Sequence, residues 1–358
     1  MSGRLRIRDA RPSDEPALRA LAEHGMEGAV RLALLQSPDF FAAERIRGEV
    51  RLGILSDDSD EVLGCGARVV RRAWWNGAWR RTGYYCTLRA GPAGRNVRAV
   101  RAAYGWAREI EREDPLPVIT TAILSGNTRA LRLLTSRRFG LPAYLDAGEV
   151  VTLTATAWSL RRFADGVPGC EVVTGDEVGE KTLRAFYADG RGCPPLFPEL
   201  PDPLPSGLRL SDFIVLRRAG RLLAAAAVWD QRGFRQVRVQ GYAAWLGWFR
   251  PLLNLAGASL GLPSMPAPGG EVALRYLAFR RICGDDPALL RCLLGAAARR
   301  LSVGEVLSFS VHFRDSLLAS LGRLRAVRTS SRLFTISYAE DPEAAVFESP
   351  PYVEAAML

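Results

Sequence analysis

Lysine is almost missing from this chain of 358 residues: Lys181 stands alone among 48 basic residues, and the other 47 are arginine. Histidine is nearly as scarce, with only His24 and His312, far apart in sequence. The six cysteines (Cys65, Cys86, Cys170, Cys193, Cys283, Cys292) show no C-x-x-C spacing and lie mostly in apolar stretches, which reads as buried reduced thiols. Together these shortages argue against a structural zinc site, and no metal is expected. A serine hydrolase with a histidine base would have to use one of two histidines, and no G-x-S-x-G elbow is present. Neither G-x-G-x-x-G nor a Walker A loop occurs. Apolar runs stop short of the ~20 residues that span a bilayer. The longest, Trp245 to Leu262, is broken by Arg250 and Asn254. The N-terminal stretch is charged throughout, unlike a secretory signal, so the expectation is a cytoplasmic protein without membrane insertion.

What is present is the profile of a soluble globular protein: 48% hydrophobic and 24% charged residues. The length suggests two domains at about 150 residues each. The net charge of +10 is compatible with phosphorylated cofactors, nucleic acid or acidic partners and does not choose among them.

Hydrophobic periodicity gives a series of elements that occurs twice in the same order. In the first half a short strand (RLRIRDA) leads to a helix capped at Ser13 or Asp14, then a second helical stretch through VRLALLQSPDFFAAERI. Two strands joined at Asp57–Asp60 follow, then a hairpin whose Asn76-Gly77 favours a type I′ turn. After the strand around Tyr84–Leu88 comes the loop AGPAGRN and the helix VRAVRAAYGWAREIE. The strand PVITTAIL leads to a helix starting at Asn127 and closed by Gly140, and EVVTLTATA completes the unit. The second half repeats this order less regularly, with an inserted apolar segment at 245–262. The reading is two α/β units: 1–158 and 169–340, joined by a linker near Trp158–Gly169. The acidic segment 341–358, with Pro350-Pro351, reads as a disordered tail.

Asn127-x-x-Ala130 followed by Phe139-Gly140, directly after a strand ending at Leu124, resembles the GCN5-related N-acetyltransferase (GNAT) family. The order of elements adds most of the weight, over nearly all of residues 4–157 and more weakly over 170–340. The resemblance implies a tandem GNAT arrangement, an α/β (α+β) fold in which each half is a mixed, mostly antiparallel twisted sheet flanked by helices. It implies transfer of an acetyl or related acyl group from acetyl-CoA, or another acyl-CoA, to the amine of a small-molecule or peptide acceptor, with the site in the N-terminal half. In such a site Thr87, Leu88 and Arg89 would offer backbone pairing to the pantetheine arm. Arg95, Asn96, Val97, Arg98 and Ala99 would cradle the pyrophosphate at a helix N-terminus, and Asn127 would contact the arm near the thioester.

The sequence departs from the family's Gln/Arg-x-x-Gly-x-Gly/Ala loop. Arg95 fits the first position, but the two glycine positions hold Arg98 and Val100, and Gly94 falls one residue early. In the second half Asp285 and Asp286 stand at the corresponding helix start and would repel phosphate, so that half is read as unable to bind CoA. The family's usual tyrosine, four residues after the motif alanine, is Leu134 here. Tyr84, Tyr85 and Tyr144 remain as proton-donor candidates; Tyr85 and Tyr144 are taken as the catalytic pair.

Two other readings stay open. A catalytically silent relative would use the groove to bind a ligand or partner. An acyltransferase using aminoacyl-tRNA would exploit the basic surface. The Arg/Trp-rich hairpin Arg71–Arg81 could stack on nucleic acid, but tryptophans packed across a twisted hairpin, with Trp75 and Trp79 on one face, explain it as well, and a nucleic-acid partner is not expected. The segment 243–262 reads as a helix covering the groove between the halves.

Overall fold

The computed structural model describes residues 5–23, 29–163, 166–343 and 345–358. The first half runs β1 (Arg6–Asp9), α1 (Glu15–Glu23), β2 (Val30–Gln36), α2 (Phe40–Arg45), β3 (Glu49–Ser56), β4 (Val62–Trp75), β5 (Ala78–Ala90), α3 (Val97–Glu113), β6 (Ile119–Leu124), α4 (Thr128–Leu134) and β7 (Ala143–Thr156). A short helix, α5 (Ala157–Leu160), carries the chain across. The second half runs β8 (Glu171–Thr174), α6 (Gly175–Val178), α7 (Glu180–Ala188), β9 (Phe213–Arg218), β10 (Arg221–Asp230), β11 (Arg235–Tyr242) and α8 (Ala244–Leu260). It ends with β12 (Glu271–Val272), β13 (Leu274–Ile282), α9 (Pro287–Ala298), β14 (Val306–His312), α10 (Ser316–Ser320) and β15 (Val327–Ser337).

Each half is the expected mixed, mostly antiparallel sheet with helices packed on it, but the two sheets are continuous. Twelve strands pair in the order β1-β3-β4-β5-β6-β15-β7-β14-β13-β10-β9-β8. The join is reciprocal. β15, from the end of the second half, lies between β6 and β7 of the first, while β7 pairs on its other side with β14. The long β7–β15 ladder, from Val327↔Thr154 to Ser337↔Ala143, therefore belongs to both halves. β7 can sit there because it is apolar on both faces: Leu153 and Ala155 are fully buried on one and Val150 on the other.

Local chemistry accounts for most element ends. Asn76 and Gly77 both have positive φ, as a type I′ hairpin requires. Asn96 caps α3 by accepting from Ala99 N at 2.9 Å, and Asn127 caps α4 by accepting from Ala130 N at 3.1 Å. Asp286 caps α9 in the same way, as its place at the helix start predicts.

Three expectations are corrected. The stretch VRLALLQSPDFFAAERI is not one helix. Its first seven residues are strand β2, which pairs antiparallel with β11 of the other half in a small three-stranded sheet, β12-β11-β2. Cross-chain pairing overrides the local helical reading of its leucines. The hairpin tryptophans also divide differently. Trp74 and Trp79 are direct cross-strand partners, with rings 5.4 Å apart edge to face, whereas Trp75 lies on the opposite face, buried against Phe347. Crossing the two-residue turn reverses which positions share a face, and the tryptophans pack inward rather than forming a stacking platform. Finally, the acidic tail is ordered at its end: Tyr352, Val353, Glu354, Ala355, Ala356 and Met357 are all buried.

Among the described residues no helix is long and apolar enough to cross a membrane. His312 is buried, with Nε2 2.9 Å from the Ala147 carbonyl; His24 lies outside the described residues.

Candidate active site

The two halves carry the same device, a parallel strand pair that opens into a wedge. In the first half, β5 and β6 pair only at Gly83↔Ile119 and Tyr84↔Thr120. The Thr121 hydroxyl then donates to the Tyr85 carbonyl at 2.8 Å and the strands diverge. The far edge of β6 is taken by β15 and that of β5 by β4, so the facing edges Tyr85–Arg89 and Thr121–Leu124 have no strand partner among the described residues. A bulge in the β4–β5 ladder falls here, between Cys65 and Ala67, and puts Thr87 at φ +55°. The Ser125 hydroxyl, just after β6, is buried without a hydrogen-bond partner among the described residues.

In the second half, β13 and β14 pair in parallel through Leu274–Tyr276, and the matching bulge puts Phe279 at φ +52°. That wedge is filled by the chain itself. Glu354 Oε2 accepts from Phe279 N at 2.6 Å, Tyr352 Oη accepts from Arg280 N at 3.0 Å, and the Tyr187 hydroxyl donates to the Phe279 carbonyl at 2.8 Å.

Around the Thr87 bulge lies a buried polar cluster on the face opposite α3. Glu44, from α2, is fully buried; its carboxylate pairs with Arg47, accepts from the Thr87 hydroxyl at 2.9 Å and from Gln36 Nε2 at 3.0 Å. Burial works against its ionisation, but the charges of Arg47 and Arg235 and the hydrogen bonds from Thr87 and Arg47 outweigh it and hold the carboxyl below its usual range. Arg47 and Arg235 both reach the main-chain oxygen of Leu358, at 2.9 and 2.7 Å. Arg235 also donates to the Ala356 carbonyl at 2.7 Å, and Arg71 lies over the Tyr84 ring and contacts Met357 Sδ. The last residues of the tail thus link the filled wedge of one half to the Thr87 bulge of the other. Sequence reasoning missed Glu44, Arg47 and Arg235, because only the β2–β11 pairing brings α2 and β11 over β5. A buried-site signal existed in Glu44 and Arg47, charged residues on either side of the apolar Ile46.

The residues read from the sequence are distributed as follows. Thr87 is at the bulge, Leu88 is half exposed beside it, and Arg89 turns back to donate to the Leu34 carbonyl at 3.2 Å. Tyr85 points to the α3 face, its hydroxyl 3.4 Å from Glu111 and 3.3 Å from the Tyr338 hydroxyl. Tyr144 lies in the same aromatic cluster, hydrogen-bonded to the Tyr104 hydroxyl. Burial raises both phenols well above the ordinary tyrosine value, and neighbouring tyrosines add to the effect. Tyr84 faces the polar cluster, its phenol pushed up to about 12 by burial. Neither Tyr85 nor Tyr144 therefore shares a face with Glu44.

The loop before α3 is folded on itself. The N–H groups of Gly91, Gly94, Arg95 and Asn96 bond to the carbonyls of Leu63, Gly91, Pro92 and Gly94 in a 3₁₀ turn over Pro92–Gly94. Gly94 is glycine for packing: a Cβ there would stand 2.3 Å from the Leu63 carbonyl oxygen. Arg95, Asn96, Val97 and Arg98 are exposed at the start of the 17-residue α3, with Ala99 buried beneath them, and Asn127 is exposed at the start of α4.

No family model matches the chain, and no curated protein does. Solved structures do. The GCN5-related glucosamine N-acetyltransferase region of a fungal multi-domain GH3 β-N-acetylglucosaminidase aligns over 94% of this chain with a TM-score of 0.58 and 12% identity; the chain spans only 38% of that protein. A GCN5-related N-acetyltransferase from Sphaerobacter thermophilus aligns over 100% of both chains, with a TM-score of 0.54 and 12% identity. N-myristoyltransferase from Saccharomyces cerevisiae, solved with bound myristoyl-CoA, aligns over 94% of this chain and 83% of its own, with a TM-score of 0.56 and 8% identity. The chain has the fold of the GCN5-related N-acetyltransferases.

Proposed function

We propose that the protein transfers an acyl group from acyl-CoA to an amine, using the wedge between β5 and β6, and that the second half is structural. The observation that carries this is the contrast between the wedges: one is filled by Tyr352 and Glu354, while in the other two strand edges and the Ser125 hydroxyl are left without partners among the described residues. A buried hydroxyl without a partner costs about 1–3 kcal/mol, so a polar ligand is favoured there. Acyl-CoA, when bound, supplies a thioester-activated acyl group. Thr87, Leu88 and Arg89 and the facing edge of β6 bind its extended arm as an added strand would, and the exposed side of Asn127 borders its acyl end.

The pyrophosphate is held differently from the family pattern. The loop N–H groups are consumed in the turn, so Arg95 and Arg98 supply charge at the α3 N-terminus instead of a backbone cradle. Glu44 receives the proton released when an amine is acylated, passed through the Thr87 hydroxyl that it already accepts from. With its proton affinity lowered by Arg47 and Arg235, the ionised carboxylate is a weak base, so its part is to orient the Thr87 hydroxyl and pass the proton onward rather than to keep it. Tyr85 and Tyr144, with their phenols suppressed, are assigned to packing.

The consumed loop N–H groups favour one second reading, a silent relative that binds a ligand or partner. Thermal unfolding with acetyl-CoA and with free CoA separates the two. A ligand at 100 times its dissociation constant adds about 2.7 kcal/mol. A shift that shrinks in Arg95→Ala/Arg98→Ala supports the acyltransferase; no shift at millimolar ligand overturns it in favour of the silent relative.

A further inference from the structure

Helix α8 is oriented apolar side out. Its inward stripe is Leu246, Arg250, Asn254 and Gly257, and this stripe contains the helix's one charged side chain and its one amide. Arg250 and the Asn254 amide donate to the Met265 carbonyl at 3.2 and 3.0 Å, and Asn254 Oδ1 accepts from Met265 N at 2.7 Å. Gly261, in the left-handed conformation, ends the helix against the Trp158 ring. Held this way, the helix turns Trp245, Trp248, Phe249, Leu252, Leu253, Leu255 and Leu260 to solvent, with Trp248 86%, Leu255 74% and Leu252 63% exposed. At 100° per residue these side chains fall within an arc of roughly 160°, and the arc contains no charged residue.

We propose that this face is the interface between two copies of the chain, paired about a two-fold axis through Leu252 with the α8 helices antiparallel. The area fits. The seven side chains expose on the order of 1,000 Å², above the ~300–600 Å² of a typical monomer's largest apolar patch and close to the ~800 Å² per partner of a stable interface. The order of sizes fits as well. A two-fold at Leu252 sets position 248 against 256, 245 against 259 and 249 against 255, so Trp248 meets Ala256, Trp245 meets Ser259 and Phe249 meets Leu255 of the partner. Each tryptophan thus lies over a small residue, the large-against-small fit that lets helices pack closely. Self-complementarity of this kind is what an isologous pair requires and a lipid surface does not.

Sedimentation velocity of the full chain at micromolar concentration tests this, together with mild oxidation of Leu252→Cys. The expected results are the mass of two chains, a dissociation constant raised at least about thirtyfold by Trp248→Glu with the circular dichroism unchanged, and a disulfide between the two introduced thiols that wild type does not form. The cross-link stands as a test even if Trp248→Glu misfolds. A monomeric wild type, a dimer indifferent to Trp248→Glu, or a monomer that uses α8 to sediment with anionic vesicles would overturn the proposal.

Discussion

Replacing Glu354 with alanine probes the filled wedge directly. The carboxylate is buried and accepts three hydrogen bonds, from Phe279 N at 2.6 Å, Ala356 N at 3.1 Å and the Tyr352 hydroxyl at 2.9 Å. Alanine leaves all three donors inside without a partner. At about 1–3 kcal/mol for each unsatisfied group, with partial relaxation, the loss of stability comes to about 3–5 kcal/mol. Glutamine keeps an acceptor oxygen and costs about 1–2 kcal/mol. The two variants also separate by pH. Burial raises the Glu354 carboxyl above the ordinary glutamate value, so the folded chain holds that proton more tightly than the unfolded chain. Its contribution is fully present below the ordinary value and is lost as pH rises through the folded one. Urea titrations across that window should show wild type losing stability with rising pH on this account and Glu354→Gln lacking that component. A loss below about 1 kcal/mol for Glu354→Ala, or identical pH slopes for wild type and Glu354→Gln, would refute the view that the tail is an integral part of the second half.

Three further outcomes follow from the same geometry. Arg95→Ala/Arg98→Ala should weaken acetyl-CoA binding roughly 3–30-fold and flatten its dependence on salt, measured by calorimetry at two ionic strengths, because exposed arginine–phosphate attraction is screened. Gly94→Ala should cost about 2–3 kcal/mol in chemical denaturation, since its Cβ would fall 2.3 Å from the Leu63 carbonyl oxygen; an unchanged midpoint would mean that the turn shifts freely. Glu44→Gln should lower kcat for an amine acceptor by about 10²–10⁴ with a smaller change in KM, whereas Tyr144→Phe should leave kcat within about threefold; the reverse ranking would move the proton role back to the tyrosines.

The parts of this fold that were legible in the sequence are those fixed by neighbours along the chain. Asn76-Gly77 announces its turn, Asn127 its cap, and the amphipathic run after Asn96 its helix. The GNAT-like order of elements could be read because each element carries its own periodicity. What was not legible depends on contacts made across the chain. β2 has a helix-compatible run, Leu32-Ala33-Leu34-Leu35, and becomes a strand only because β11 offers it an edge. The tail's carboxylates read as disorder on composition, yet Glu354 is accommodated inside because two backbone donors and a phenol meet it there. Of the candidate site, Thr87 to Arg89 and Asn127 could be named from the motif, whereas Arg235 could not, and Glu44 and Arg47 carried only the faint signal of charges flanking an apolar Ile46, because their burial depends on the β2–β11 pairing far along the chain.

The exchange of β7 and β15 has a consequence for how the protein is made. The free edge of β6, Ile119–Leu124, uncharged and rich in β-branched residues, emerges long before the strand that covers it, Val327–Ser337. At ribosomal speeds of about 5–20 residues per second, that edge waits roughly 10–40 s for its partner. Throughout that interval the nascent chain carries an open sheet margin able to recruit another strand. Synthesis of β15, a strand of the second half, is therefore the closing step for the first, and truncation at any point before β15 leaves β6 and β7 each with an open edge.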